Sequence, residues 1–410
     1  MDFRNDPAFL RGMTQPRTRR DFFKVAGFSA AGLALAACGV QGQKAAPPKA
    51  DAVKDYWAKQ TKHGHLVFAN WPEYMPQDQA PLKEFTKNTG IAVEYKEVIQ
   101  DNAEFFGKSD PVLRAGQSLG YDIVVMTNGV QLQHMLDLGY VVPLDPSKMP
   151  NFFANAGEKF KKRIYDPGNK YTMPYASGVT GIAWNTKYVT EDITSIHSLW
   201  DPKYKGRVGM MDDPQEIANF GMYALGIDPE RSTEEDWKKA GAKLKEQRDA
   251  GMVRKYYQQN YIDAVSKGDI WLSMAWSGDV FQRQVAGEPV KFVVPQEGGT
   301  IWTDNMLIPK GAANPLDAIT LMDYFYQPGP AAELASFIQY VSPVPGVQDV
   351  LKQQAAATTK PADKKALEEM VNSPLMFPSE ADFAKLHGYT RLTTAQEQVF
   401  NPIFQSVTQA

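Results

Sequence analysis

The chain has 410 residues, 47 acidic and 44 basic side chains, a formal net charge of −3 and one cysteine. That balance offers no strongly basic face for a nucleic acid. A single cysteine excludes an intrachain disulfide, a CxxC redox pair and an iron–sulfur ligand set.

Near the start, Thr18-Arg19-Arg20-Asp21-Phe22-Phe23-Lys24 has the form of a twin-arginine export signal and leads into the apolar run Val25 to Ala37. Thirteen residues fall short of the about 20 needed to span a bilayer. The run ends in Leu35-Ala36-Ala37-Cys38, a lipobox in which Cys38 is the lipidation site and the first residue of the mature chain. Multiple acyl chains hold a protein at a membrane where one is marginal. Residues 1–37 are therefore expected to be a signal peptide. Residues 38–63, which begin with an Ala/Pro/Lys-rich stretch lacking apolar periodicity, are expected to be a flexible tether. The folded body would lie in the periplasm or at the cell surface, anchored by lipid. Losing residues 1–37 removes six bases and three acids, so the charge moves from −3 to −6. An acidic body is compatible with a cationic ligand.

From His65 onward, short apolar runs alternate with amphipathic stretches: "HLVFAN" then "APLKEFTKNTG", "IAVEYKEVI" then "NAEFFGKSDPVLRAG", "YDIVVMT" then "GVQLQHMLDLGY". A second series follows in "GRVGMMDD", "EIANFGMYALG", "STEEDWKKAGAKLKEQRDAG", "IWLSMAW" and "VKFVVPQEG". Strand followed by helix, repeated, predicts α/β architecture with parallel pairing. No Pro/Gly/Ser linker separates the two series, which suggests two lobes joined by chain crossings.

In open α/β sheets, ligands collect beyond the carboxyl ends of strands. "LVFAN" runs into Trp71, Glu73 and Tyr74, "DIVVM" into Thr127, "RVGMM" into Asp213 and Glu216, and "WLSMA" into Trp276 and Asp279. Trp302 and Asp304 alternate along "GGTIWTDNMLIP" and so share one face of an extended segment. Aromatic faces attract alkylammonium groups, and a buried ammonium needs a compensating anion. Trp71, Tyr74, Trp276 and Trp302 can form walls, while Glu73, Asp213, Glu216, Asp279 and Asp304 can pair with separate amines. The same tryptophans read singly are core packing, and the acids singly are solvated loops or helix caps, as Asp213 could be.

These segments carry a resemblance. "NWPEY", "YDIVVMT", "YTMPYASGVTGIAWN", "LWDPKYKGRVGMMDDPQE", "MAWSGDVFQRQ" and "VPQEGGTIWTDNMLIP" resemble, in content, order and spacing, the substrate-binding proteins of bacterial polyamine ABC importers. The resemblance implies a two-lobed periplasmic-binding-protein fold that closes on spermidine or putrescine about a multiply crossed hinge. It places lobe one at 64–178 plus 301–346 and lobe two at 179–300 plus 347–410, with crossings near Gly178, Thr300 and Gly346. It also implies ring contacts from Trp71 and Tyr74, amine ligands at Glu73 and Asp304, acids of the opposite lobe at Asp213 and Glu216, and an aromatic box at Trp276 and Trp302. Asp279 matches an extra carboxylate of putrescine-preferring members. Gly129 leaves open a wall that is aromatic in the family, and "LHGYTRLTTAQEQ" gives no clear match for its last polar contact.

By the same resemblance the partners are a polyamine and ABC permease subunits, with no cofactor, no metal and a monomeric state. Alternatives are a binding protein of the same fold for another organic cation or an opine, and a polyamine sensor. An enzyme is disfavoured. Gly116-Gln117-Ser118-Leu119-Gly120 matches G-x-S-x-G, but a helical stretch precedes it and a strand follows, the reverse of a nucleophile elbow. The five histidines are scattered without metal-ligand spacing apart from His63 and His65.

Overall fold

The computed structural model describes residues 50–257 and 260–409. The proposed export signal and Cys38 lie outside the described residues. Ten strands are described: β1 His65–Asn70, β2 Ala92–Glu97, β3 Ile123–Thr127, β4 Thr172–Asn185, β5 Val208–Met211, β6 Val253–Tyr257, β7 Leu272–Trp276, β8 Val290–Val293, β9 Gly299–Leu307 and β10 Leu386–His387. They form one mixed sheet in the order β2-β1-β3-β9-β4-β7-β5-β6, with β10 added to β9 and β8 to β4. The apolar runs of the sequence become strands and the amphipathic stretches helices. Within each half the strands joined through helices pair in parallel, β1 with β2 and β3, and β5 with β6 and β7.

β4 and β9 tie the halves together. All 14 residues of β4 and all nine of β9 are buried, as expected for strands covered on both faces. They pair antiparallel from Ala176↔Asp304 to Thr180↔Thr300, beyond an irregularity at Pro174/Ala176, a place where a proline's missing N–H is tolerated. The early part of β4, with Met173, Tyr175 and Ala176, packs into a first core, and its later part, with Ile182, Ala183 and Trp184, into a second. The sheet of the first half has an apolar cluster on its other face too, built from Phe105, Phe106, Leu132 and Met135.

Two expectations about boundaries differ from this packing. Residues Ala50–Ala58, placed by sequence in the tether, form a helix. Trp57 is 2% exposed in the first core and its indole N–H donates to the Pro143 carbonyl at 2.8 Å. One large ring is enough to dock a helix that local periodicity does not reveal. His63 is exposed, and its backbone N–H donates to Asp317 Oδ2 at 2.7 Å.

The segment after Gly346, expected in lobe two, contributes Val347, Leu351, Leu367, Met370 and Met376 to the first core. The helices Val347–Ala357 and Pro361–Val371 have their apolar faces there. The chain next joins the second core at Leu392, Phe400, Phe404 and Val407.

Candidate functional site

Asp304 is the best-defined acid. β9 places it opposite both Thr127 of β3 and Ala176 of β4, at 2% exposure. Thr127 Oγ1–H donates to Oδ1 at 2.6 Å and Tyr74 O–H to Oδ2 at 2.6 Å. Tyr74 is in turn fixed by Tyr175, whose hydroxyl donates to the Tyr74 carbonyl at 2.6 Å and whose ring stacks on it at 6.1 Å. Burial pushes the Asp304 carboxyl up to about 6, with the two donors opposing the rise.

Glu216 sits in the first turn of the helix Pro214–Tyr223 and is 3% exposed. Its Oε1 accepts from Thr180 at 2.9 Å, Trp276 Nε1 at 3.2 Å and Tyr389 O–H at 2.8 Å. Its Oε2 is buried without a hydrogen-bond partner among the described residues. Burial pushes the carboxyl up to about 7, helped by the charge of Asp213 and opposed by the donors. Asp279 follows β7 in the helix Ser277–Val285, 8% exposed, with Tyr261 O–H at 2.7 Å on Oδ2 and Tyr340 O–H at 3.3 Å on Oδ1.

Aromatic rings connect Glu216 to Asp279, and the Tyr74 hydroxyl on Asp304 feels the charge of Tyr340 and Asp279. Trp302 meets Trp276 edge-on at 6.4 Å and Tyr340 at 5.1 Å, and Trp276 meets Tyr261 at 5.8 Å. The Trp302 indole lies directly over Gly178, where an added Cβ would fall 2.0 Å from Cζ2. Its Nε1–H, like Glu216 Oε2, is buried without a partner among the described residues. Two apolar-walled polar groups are thus left to be satisfied from within the site.

The remaining expected residues are placed differently. Trp71 is half-buried, its Nε1–H donating to the Val125 carbonyl at 3.2 Å, and it packs on both clusters of the first half. Glu73 has a left-handed backbone, φ 60°, and is exposed. It lies beside Glu97. Asp213 is an N-cap, its Oδ1 accepting from the backbone N–H of Gln215 at 2.8 Å and of Glu216 at 2.9 Å, so its ordinary helix-cap reading holds in the geometry.

The profile of the bacterial extracellular solute-binding proteins matches residues 80–365. The chain belongs to that family. Among relatives of this solute-binding protein, the spermidine/putrescine-binding periplasmic protein of Salmonella typhimurium is 31% identical over 292 residues, 71% of this chain and 81% of the relative. The putrescine-binding periplasmic protein of Pseudomonas aeruginosa is 30% identical over 342 residues, 79% and 86% of the two chains. In fold it is similar to the solved spermidine/putrescine ABC transporter substrate-binding protein of Streptococcus pneumoniae, with TM-score 0.70 and 24% identity over 84% of this chain and 98% of that one. The two-lobed periplasmic-binding-protein architecture is thereby shown.

Three residues of this solute-binding protein's network escaped the sequence: Tyr261, Tyr340 and Tyr389. Tyr389 reaches Glu216 across 173 positions, a separation that no local pattern bridges. Among the described residues no group of three or more His, Cys, Asp or Glu is placed to hold a metal ion, and no helix is long and apolar enough to cross a membrane.

Proposed function

We propose that this protein captures a linear polyamine, putrescine or spermidine, outside the cytoplasm and delivers it to the permease subunits of an ABC importer. The observation that carries this reading is the trio Asp304, Glu216 and Asp279. All three are buried among indole and phenol rings, and each is hydrogen-bonded only through hydroxyls or an indole N–H. Among the described residues no Lys, Arg or His pairs with any of them. Buried carboxylates without a cation of their own call for one from a ligand, and rings on either side suit a methylene chain between amines. The relatives, a spermidine/putrescine-binding and a putrescine-binding periplasmic protein, support the same class.

In this reading Trp276, Trp302 and Tyr74 are walls, Asp304 and Glu216 are the principal amine ligands, and Asp279 is a further one. Thr127 and Asp213 act by orienting Asp304 and the Glu216 helix, while Trp71 and Glu73 contribute at the rim. The two lobes comprise 64–178 plus 301–376 and 179–300 plus 386–409, closing as a monomer. Export through the twin-arginine signal and a lipid on Cys38 would hold the body at the membrane; the relatives named as periplasmic support the compartment.

Titration calorimetry of the mature protein with putrescine, spermidine, amino acids, sugars, betaine and an opine tests the reading. Heat with a polyamine in the micromolar range or tighter is expected. Heat only with a neutral, anionic or quaternary ligand would overturn it.

A further inference from the structure

Gly129 follows β3 with φ 144°, a backbone that side chains other than glycine's rarely adopt. The space a side chain would take is filled from the opposite half. A Cβ on Gly129 would lie 2.6 Å from Gln215 Oε1 and 3.9 Å from Tyr389 Cδ2, and Gln215 Oε1 accepts the Val130 N–H at 3.2 Å. Tyr389 comes from the segment after β10 that returns to the second core. Its ring nevertheless packs on the first core while its O–H donates to Glu216 Oε1 at 2.8 Å. One side chain therefore bridges the halves at the Glu216 end of the network.

Two physical effects follow. The phenol occupies volume beside Glu216 that a longer ligand's extra arm would need, and apolar bulk in a packed site cannot be displaced without strain. Its hydroxyl is also the third donor on Glu216 Oε1, beside Thr180 and Trp276, which leaves an incoming ammonium Oε2, the carboxylate oxygen without a hydrogen-bond partner among the described residues. Charge from Glu216, Asp213 and Asp304 all falls on the Tyr389 hydroxyl, which locates the ring among the acids rather than outside them.

We infer that Tyr389, seated against Gly129 and bonded to Glu216, is a specificity-determining residue that closes one end of the site, so that the protein prefers a short diamine to a longer triamine. The inference rests on the polyamine reading and adds the ligand's length to it. Wall, donor and stop are the same residue.

Calorimetric titration of the wild type, Tyr389→Ala and Tyr389→Phe with putrescine and with spermidine tests it, with thermal melts as the folding control. The wild type should bind putrescine at least about tenfold more tightly than spermidine, a difference of about 1.4 kcal/mol. Tyr389→Ala should shrink that ratio about tenfold or reverse it. Tyr389→Phe keeps the ring and should keep the ratio while both affinities move together. Wild-type preference for spermidine, or binding of both amines with the same ratio in a folded Tyr389→Ala, overturns the inference alone. No heat with either amine overturns the polyamine reading, and the inference with it. Should Tyr389→Ala not fold, the wild-type ratio and a ratio lost in Tyr389→Phe still decide against it.

Discussion

His134 Nε2 lies 2.7 Å from Glu397 Oε1, both side chains almost fully buried, and the bond joins the helix Val130–Asp137 of the first half to the terminal helix Thr394–Thr408 of the second. It forms beside the exposed pair Asp137–Arg391 at 3.9 Å and the Phe106 ring at 5.3 Å from the imidazole. This bond connects the halves away from the proposed ligand network, so it favours the closed arrangement without help from a ligand. His134→Ala leaves Glu397 buried without its partner, a cost of about 1–3 kcal/mol when closed. The expected result is a larger radius of gyration of the ligand-free variant by small-angle scattering and a severalfold weaker ligand affinity. An unchanged radius and affinity would show that the bond does not influence closure.

Asp304→Asn should weaken polyamine binding by at least about a hundredfold, since removing one member of a buried charge pair costs about 3–5 kcal/mol. Asp213→Asn should cost far less, because that carboxylate caps a helix and asparagine caps about as well. Titration of both variants checks the order. Equal losses would place Asp213 among the amine ligands.

Affinity should rise with pH. Burial holds the Asp304 carboxyl up at about 6 and Glu216 up at about 7, both above the usual value of about 4. A dication needs both ionised, so binding below about pH 7 must displace a proton from Glu216 and below about pH 6 one from Asp304 as well, and affinity should level off above about pH 8. Ligand-free stability runs the other way. The folded chain holds these protons more tightly than the unfolded chain, so their contribution is full below about pH 4 and is lost as the pH climbs through about 6 and then 7. Titrations and melts from pH 5 to pH 8 read both trends; flat affinity over that range would contradict the role given to these acids.

Gly178→Ala places a methyl 2.0 Å from Trp302 Cζ2 and 2.5 Å from Cη2. The indole must shift, and overpacking of this kind costs about 1–3 kcal/mol. Melting temperature and ligand affinity should both fall. A variant as stable as the parent would mean that the indole has room to move.

Cys38→Ala should give protein that no longer labels with palmitate, and Arg19→Lys with Arg20→Lys should leave precursor in the cytoplasm. Fractionation and labelling of the expressed chain check both; palmitate on the Cys38→Ala protein would rule out the lipobox.

Much of the fold was legible because its signals are local. Runs such as "IVVM" and "WLSMA" are apolar at nearly every position, as expected of strands covered on both faces. The alternation of Trp302 and Asp304 read directly as a shared face. Glu73 could not be placed the same way, because its left-handed backbone turns the side chain in a direction that strand-end position does not specify. Tyr261, Tyr340 and Tyr389 serve as donors to distant acids, and no pattern near each one marks that role. The helix at Ala50–Ala58 and the helices after Gly346 were misplaced because their positions depend on which core receives Trp57, Leu351 and Met370, a tertiary choice that composition does not carry.

β4, paired with β9 as far as Thr180 and continuing past it into the second core, limits how the halves can move. A slide by one residue would turn every alternate side chain to the wrong face, carrying Trp302 off Gly178 and Asp304 off Thr127. Motion that keeps the ladder bonded is rotation about the ribbon's long axis. Such a joint stores elastic energy in twist, as a torsion bar does, and has a rest angle to which it returns. Ligand then works against or with that restoring torque, so a substitution in the ladder far from any amine could retune affinity by changing the angle at which the bar is unloaded.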